Sequence, residues 1–215
     1  MGDSREKSKI KETPWWYYLL WGLALITFKV FFGIEIKGRR NIPSRGAVIL
    51  ASNHCSYLDP IVLGLLTPRK LNFLAKEELF KNFLFKQLIT ALGAFPLKRD
   101  KLDRRAYQQA LHLLSQDRIL ALFPEGTRSK TQKIGKLRQG ATRIALKSKV
   151  PLIPVVIKGT GKALPPGKKL IRPSKIKVQV GKPISINGFP KEKENSIDIL
   201  QRKLREELQK LANNQ

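Results

Sequence analysis

The stretch AVILASNHCSYLDP, residues 47–60, decides how this chain is read. Ala47-Val48-Ile49-Leu50-Ala51 is a compact apolar run of strand length. Asp59-Pro60 has the form of a helix start, with aspartate as N-cap and proline at the first helical position. A strand that passes through a short loop into a helix is a repeating unit of α/β proteins. The loop holds His54, one of two histidines in the chain, and Cys55, its single cysteine. Strand ends are where α/β sheets build their sites, so this loop is the first place to look for chemistry.

The same alternation continues on both sides. Ile34-Glu35-Ile36-Lys37 reads as a short strand, LNFLAK at 71–76 as another, and GAFPLKR at 93–99 as a strand or loop. Residues 77–92 and 103–115 have helical spacing. RILALFPEG at 118–126 is a strand that runs into a glycine turn, and residues 137–147 are helical. VPLIPVVIKG at 150–159 is a strand whose prolines place it near an edge or a bend. KIKVQVGKPISI at 175–186 alternates and reads as one or two strands. Ser196 caps a last helix with Ile197, Leu200, Leu204, Leu208 and Leu211 on one face. The expected fold is layered α/β, with a mostly parallel mixed sheet of about six to seven strands flanked by helices.

The 215 residues suit one domain with a short appendage, and 42% hydrophobic content is enough for a core. One cysteine excludes an internal disulfide and a multi-cysteine zinc site. The outlier is charge: 42 Lys and Arg against 16 Asp and Glu, a formal +26. That field attracts anions, and nucleic acid, an anionic membrane surface or acidic substrates all fit.

The appendage is TPWWYYLLWGLALITFKVFFG, residues 13–33. As one helix it is about long enough to cross a bilayer core. Its aromatic start suits the headgroup level, and no small-residue cleavage site follows it. Arg5, Lys7, Lys9 and Lys11 precede it, while Lys37, Arg39, Arg40 and Arg45 follow it, so the flanks give no orientation bias. The expectation is a helix embedded from one face of the membrane. The chain then divides into residues 1–33, a membrane-associating aromatic helix, and residues 34–215, the main domain.

Two constellations could carry chemistry. His54 and Asp59 close one turn; aspartate can hold one ring nitrogen and leave the other to take a proton. Taken in isolation, an H-x4-D pattern is more often an N-cap beside a packed histidine. Cys55 points away from His54 on an extended chain and suits a buried small hydrophobe. FPEGTRS at 123–129 supplies a carboxylate, a glycine, a hydroxyl and a guanidinium, a set able to hold a phosphate. His112, at helical spacing, is a surface residue. The chain lacks the G-x-S-x-G elbow, the P-loop pattern and H-E-x-x-H, which disfavours a serine hydrolase, a P-loop nucleotidase and a zincin.

Four blocks in order resemble the lysophosphatidic acid acyltransferase family, with its glycerolipid relatives. NHCSYLD at 53–59 is similar to that family's N-H-x4-D block, GAFPLKR at 93–99 to its second, FPEGTRS at 123–129 to its third, and VPLIPV at 150–155 to its fourth. The likeness runs from about residue 34 to 186. It implies that His54 is the general base and Asp59 its orienting partner. Arg99, Glu125, Gly126, Thr127 and Arg128 would hold a glycerol phosphate, and Pro151 and Pro154 would belong to the acyl-donor side. The implied reaction moves an acyl chain from acyl-CoA or acyl carrier protein to 1-acyl-glycerol 3-phosphate, giving phosphatidic acid. Neither metal nor cofactor is implied, only the thioester co-substrate. The implied location is a membrane, with the catalytic domain facing the cytoplasm and an anionic membrane surface as partner. Another lyso-lipid or glycerol 3-phosphate as acceptor remains open. A nucleic-acid binding protein or an inactive membrane scaffold is the alternative of another class; the first lacks any recognisable binding motif.

Overall fold

The computed structural model describes residues 13–97, 103–129, 131, 133–168, 170–189 and 194–214. In chain order the elements are α1 (Trp15–Phe32), β1 (Glu35–Lys37), β2 (Val48–Ser52), α2 (Asp59–Gly64), β3 (Leu71–Lys76), α3 (Phe83–Ala91) and β4 (Ala94–Leu97). Then follow α4 (Arg104–Ser115), β5 (Ile119–Leu122), α5 (Gly140–Ser148), β6 (Leu152–Lys158), α6 (Thr160–Ala163), β7 (Lys177–Val180) and α7 (Glu194–Asn213). The strands form one seven-stranded sheet in the order β1-β7-β6-β2-β5-β3-β4. All neighbours are parallel except β6 and β7, so the expected mostly parallel mixed sheet is what forms.

β2 is buried at every position because it lies between β6 and β5 and is covered on both faces. Val48 and Leu50 enter one core with residues of α1 and α2; Ile49 and Ala51 enter a second core with residues of α4, α5 and α7. Period-two alternation thus serves two apolar layers instead of one. α7 supplies Ile197, Leu200, Leu204 and Leu208 to the second core, each buried. A fully buried leucine contributes about 1.5–3 kcal/mol relative to an exposed one, so this stripe fixes the helix on the sheet.

The connections place the site. From β2 the chain crosses through α2, on the first face, to β3 beyond β5. From β5 it crosses through α5, on the second face, to β6 beyond β2. Two adjacent parallel strands whose connections leave in opposite directions open a crevice at their carboxyl ends. The loops that begin at Asn53 and Phe123 flank that crevice.

α1 lies along the domain and is fastened at several points. Tyr17 is buried and hydrogen-bonded to the Leu71 backbone. Trp21 Nε1 donates to the Gly64 carbonyl at 3.0 Å, and the Arg39 guanidinium lies 5.2 Å over the Trp21 ring. Phe28 and Phe32 join the first core, and the Phe32 carbonyl accepts from Ile176 N–H at 3.0 Å. The outward face leaves Trp15, Leu19, Leu23, Ile26, Val30 and Phe31 exposed.

Four local expectations are corrected. Residues 77–92 are not one helix: a 3-10 turn at Glu77–Phe80 precedes α3. The Asn82 carbonyl accepts the Lys86 N–H at 2.8 Å, which puts asparagine, a favoured N-cap, at the restart. β6 is an interior strand despite its prolines. Pro154 is accommodated because the β6–β7 ladder stops at Val155↔Val180 and resumes only as the isolated bridge Leu152↔Ile184. Ser196 does not cap α7, which starts at Glu194; it is buried in the first turn. Asp59 is not an N-cap either; Leu58 holds that position, and the reason lies in the site.

Candidate active site

The loop after β2 is built around one carboxylate. Asp59 is 1% exposed, and its Oδ2 accepts from Cys55 N–H at 2.6 Å, from Ser56 N–H at 2.8 Å and from His54 Nδ1 at 2.8 Å. The carboxylate turns back over the loop instead of capping α2, because three donors of that loop converge on it. A carboxylate only accepts, so Nδ1 carries the proton, and in the neutral ring Nε2 is then the nitrogen with the lone pair. Asn53 anchors the loop from below: its amide donates to the Ile157 carbonyl at 2.9 Å and accepts from Ile157 N–H at 2.8 Å. Ser56 Oγ ties the other side to the Leu164 carbonyl at 2.8 Å. The His54 side chain is 12% exposed.

Cys55 turns the other way and is buried. Burial, then the Asp59 and Glu125 carboxylates, push its thiol from 9.0 up to about 12, against a smaller opposing hydrogen bond from Asn53. A thiol that holds its proton is a poor nucleophile, as the sequence reading expected. His112 is exposed on α4, and its ring meets Gln116 at 3.1 Å.

The loop after β5 meets the first directly. Glu125 is buried; Oε1 accepts the His54 backbone N–H at 3.1 Å and Oε2 accepts Gly135 N–H at 2.9 Å. Ser129 N–H returns the contact to the His54 carbonyl at 2.7 Å. The Phe123 ring stacks on the His54 imidazole, centroids 4.0 Å apart and planes 18° apart. Arg128 lays its guanidinium 3.7 Å from the centroid of Tyr57, a residue of the first loop. Its Nη1 is buried with no hydrogen-bond partner among the described residues. Thr127 is exposed at the turn. Gly126 has φ 70°, and a Cβ there would stand 2.7 Å from Arg138 Nε, so only glycine lets that side chain lie across the turn.

Of the residues singled out in the sequence, His54, Asp59, Glu125, Gly126, Thr127 and Arg128 gather at this crevice. Arg99 lies outside the described residues; the strand leading toward it ends at Leu97. Pro151 and Pro154 are not brought to His54. The Pro151 carbonyl pairs with Ile49 N–H near the start of β2, and Pro154 lies beside Ala51. Sequence reasoning missed Tyr57, Phe123 and Arg138. The first two sit inside the motif blocks themselves. Arg138 follows the turn closely in sequence, its N–H bonded to the Pro124 carbonyl at 2.8 Å, and borders an open cleft of about 560 Å³ with Thr127, Lys136 and Gln201.

A strand-end histidine backed by a buried carboxylate, beside an open turn that carries an arginine, is the layout of a group-transfer enzyme that uses a general base on an anionic substrate. The sequence profile of the acyltransferase family matches residues 33–158, and the chain belongs to that family. It is 30% identical over 158 residues to the 1-acyl-sn-glycerol-3-phosphate acyltransferase of Bacillus subtilis (strain 168), covering 73% of this chain and 76% of the relative. It is 29% identical over 212 residues to that of Streptococcus pneumoniae, covering 97% and 77%. The chloroplastic 1-acyl-sn-glycerol-3-phosphate acyltransferase of Arabidopsis thaliana is 33% identical over 171 residues, 77% of this chain but 47% of the longer plant protein. Among solved structures, the 1-acyl-sn-glycerophosphate (LPA) acyltransferase PlsC of Thermotoga maritima superposes with a TM-score of 0.73 at 26% identity, covering 90% of this chain and 76% of that one.

Proposed function

We propose that this acyltransferase moves an acyl chain from a thioester, on coenzyme A or acyl carrier protein, to the free hydroxyl of 1-acyl-glycerol 3-phosphate. The observation that carries this reading is the 2.8 Å His54–Asp59 hydrogen bond at the crevice beside the Arg128 turn. The acceptor hydroxyl gives its proton to His54 Nε2, and the alkoxide attacks the thioester carbonyl. The carbon–sulfur bond then breaks, the thiolate takes the proton from the imidazolium, and phosphatidic acid and a free thiol leave. Asp59 stabilises the imidazolium while it exists.

Arg128, Thr127 and the turn at Gly126 hold the acceptor phosphate, with Arg99 as the further cation. Glu125 serves the same site through the backbone groups it binds, since both its oxygens already accept N–H donors. Pro151 and Pro154 act on the donor only through the shape of β6.

The N-terminal helix seats the enzyme on the membrane without crossing it, with the catalytic domain on the cytoplasmic side. The reading is supported by the fastening of α1 along the domain from Tyr17 to Phe32, since a perpendicular span would drag the domain into the bilayer. Leu170 and Ile171, 72% and 51% exposed next to Arg172, add a second apolar contact. The net charge of +26 suits an anionic surface and anionic substrates.

The test is turnover by purified protein in vesicles with 1-acyl-glycerol 3-phosphate and acyl-CoA or acyl carrier protein, read as thiol release and diacyl product. Product from the wild type and none from His54→Ala is expected. Silence with every donor, and with other lyso-lipids or glycerol 3-phosphate as acceptor, overturns the reading.

A further inference from the structure

Each loop of the site carries an aromatic ring that the chemistry above does not use. Tyr57 belongs to the loop after β2, and Phe123 to the loop after β5. Each lies against a functional side chain of the other loop. Arg128 Cζ stands 3.7 Å from the Tyr57 centroid, and the His54 imidazole lies 4.0 Å from that of Phe123 at 18°. The Tyr57 ring is 52% exposed, so burial of apolar area does not account for its place.

We propose that Tyr57 and Phe123 are exchanged positioning residues: Tyr57 sets the Arg128 guanidinium for the acceptor phosphate, and Phe123 sets the His54 imidazole for proton removal. This rests on the proposed function. A guanidinium laid flat on a ring is attracted by its negative face and keeps its in-plane N–H fork open. Without the ring the long arginine side chain must be ordered by the substrate at the moment of binding, which weakens binding. The imidazole has a different freedom to lose. Its bond to Asp59 holds Nδ1 at one point, and the ring can still tilt by small changes of its side-chain torsions. A nearly parallel ring at 4.0 Å limits that tilt and so steadies the direction in which Nε2 points. A misdirected base slows the proton transfer without touching the phosphate.

The two rings therefore have separable kinetic signatures. With 1-acyl-glycerol 3-phosphate and acyl-CoA as probes, Tyr57→Leu raises the acceptor KM about fivefold and leaves kcat and the donor KM alone. Tyr57→Phe, which keeps the ring, restores the wild-type KM. Phe123→Leu lowers kcat about tenfold with both KM values unchanged, and Phe123→Tyr recovers it. In an Arg128→Ala background, Tyr57→Leu costs nothing more. A wild-type acceptor KM in Tyr57→Leu overturns the inference, as do additive penalties in the double variant or a common loss of kcat from both leucine variants. Arg128→Ala separates this from the reading beneath it. If that variant alone raises the acceptor KM, only the exchanged rings are wrong. If it too leaves KM unchanged, the phosphate assignment itself falls.

Discussion

The loops after β2 and β5 start from the same place and end in different chemistry. Their strands are neighbours, paired in parallel from Val48↔Ile119 to Ala51↔Leu122, so both chains arrive at one edge of the sheet together. The first loop closes at once into α2, while the second has no helix among its described residues before Gly140. Each is organised by a carboxylate that accepts backbone N–H groups. Asp59 gathers donors of its own loop and adds one ring nitrogen, so the imidazole is held in one orientation. Glu125 reaches away from its turn, to His54 N–H and to Gly135 N–H, and leaves the turn open. A closed loop aims one group, which is what a base needs. An open turn presents several donors, which is what an anion needs. The base carried by the first loop should therefore govern kcat, and the guanidinium carried by the second the acceptor KM, each steadied by a ring from the other loop.

The hardest test of that division is also the largest effect. His54→Ala should lower kcat by about 10²–10⁴, the range general bases contribute, while the acceptor KM stays within a few-fold of wild type. Asp59→Asn should fall in the same direction, because the amide cannot hold the Nδ1–H tautomer in the same way. Steady-state kinetics beside a thermal melt decides it; a rise in acceptor KM with normal kcat would erase the distinction between the loops.

Arg128→Ala should act on the other side. Losing a charge-assisted contact of about 1.5–3 kcal/mol predicts an acceptor KM raised roughly ten- to a hundredfold, with kcat less affected. An unchanged KM would remove the phosphate from this turn.

Glu125→Gln sharpens the comparison because this residue belongs to both loops. The amide keeps one acceptor but turns an N–H₂ group toward a buried backbone donor, which costs about 1–3 kcal/mol of stability. Urea denaturation should show the loss, and kcat and the acceptor KM should worsen together by a few-fold. A change in KM alone, at full stability, would instead place Glu125 against the acceptor, as the family resemblance implies.

How much of this could be read beforehand follows from the range of the forces. The alternation of apolar runs with helical spacings is local, and it carried the α/β sheet, the burial of β2 and the leucine stripe of α7. His54 and Asp59 lie within one turn, so their spacing makes a dyad possible, but alone it favours a helix cap, and the four blocks together are needed to read it as a site. Asp-Pro reads locally as a helix cap, yet the carboxylate turns back because three donors of its own loop outweigh the helix end. The interior place of β6 depends on β7 breaking its ladder at Pro154, a non-local event. Tyr57 with Arg128 and His54 with Phe123 are meetings across about 70 residues; no spacing announces them, and only the parallel pairing of β2 with β5 brings them together.

The smallest expected effect belongs to the residue next to the base. Cys55 lies beside the base in the loop after β2, so a nucleophilic thiol there would undo the contrast between the loops. Its surroundings argue against it: the thiol is buried and pushed up to about 12. Cys55→Ala should turn over at the wild-type rate, and iodoacetamide should leave the native protein unlabelled at pH 8. The same shift has a signature in stability. Between 9.0 and about 12 the native thiol keeps its proton while the unfolded one releases it, so the unfolded state binds fewer protons. The stabilisation from Cys55 is thus complete below pH 9 and is lost as pH rises, by about 1.4 kcal/mol per unit. Subtracting the Cys55→Ala unfolding curve cancels the lysines and tyrosines that titrate in the same range. The wild-type advantage should narrow from pH 9 to 11. A constant difference, or labelling at pH 8, would mean the thiol ionises in the folded protein and that the loop after β2 holds a second reactive group.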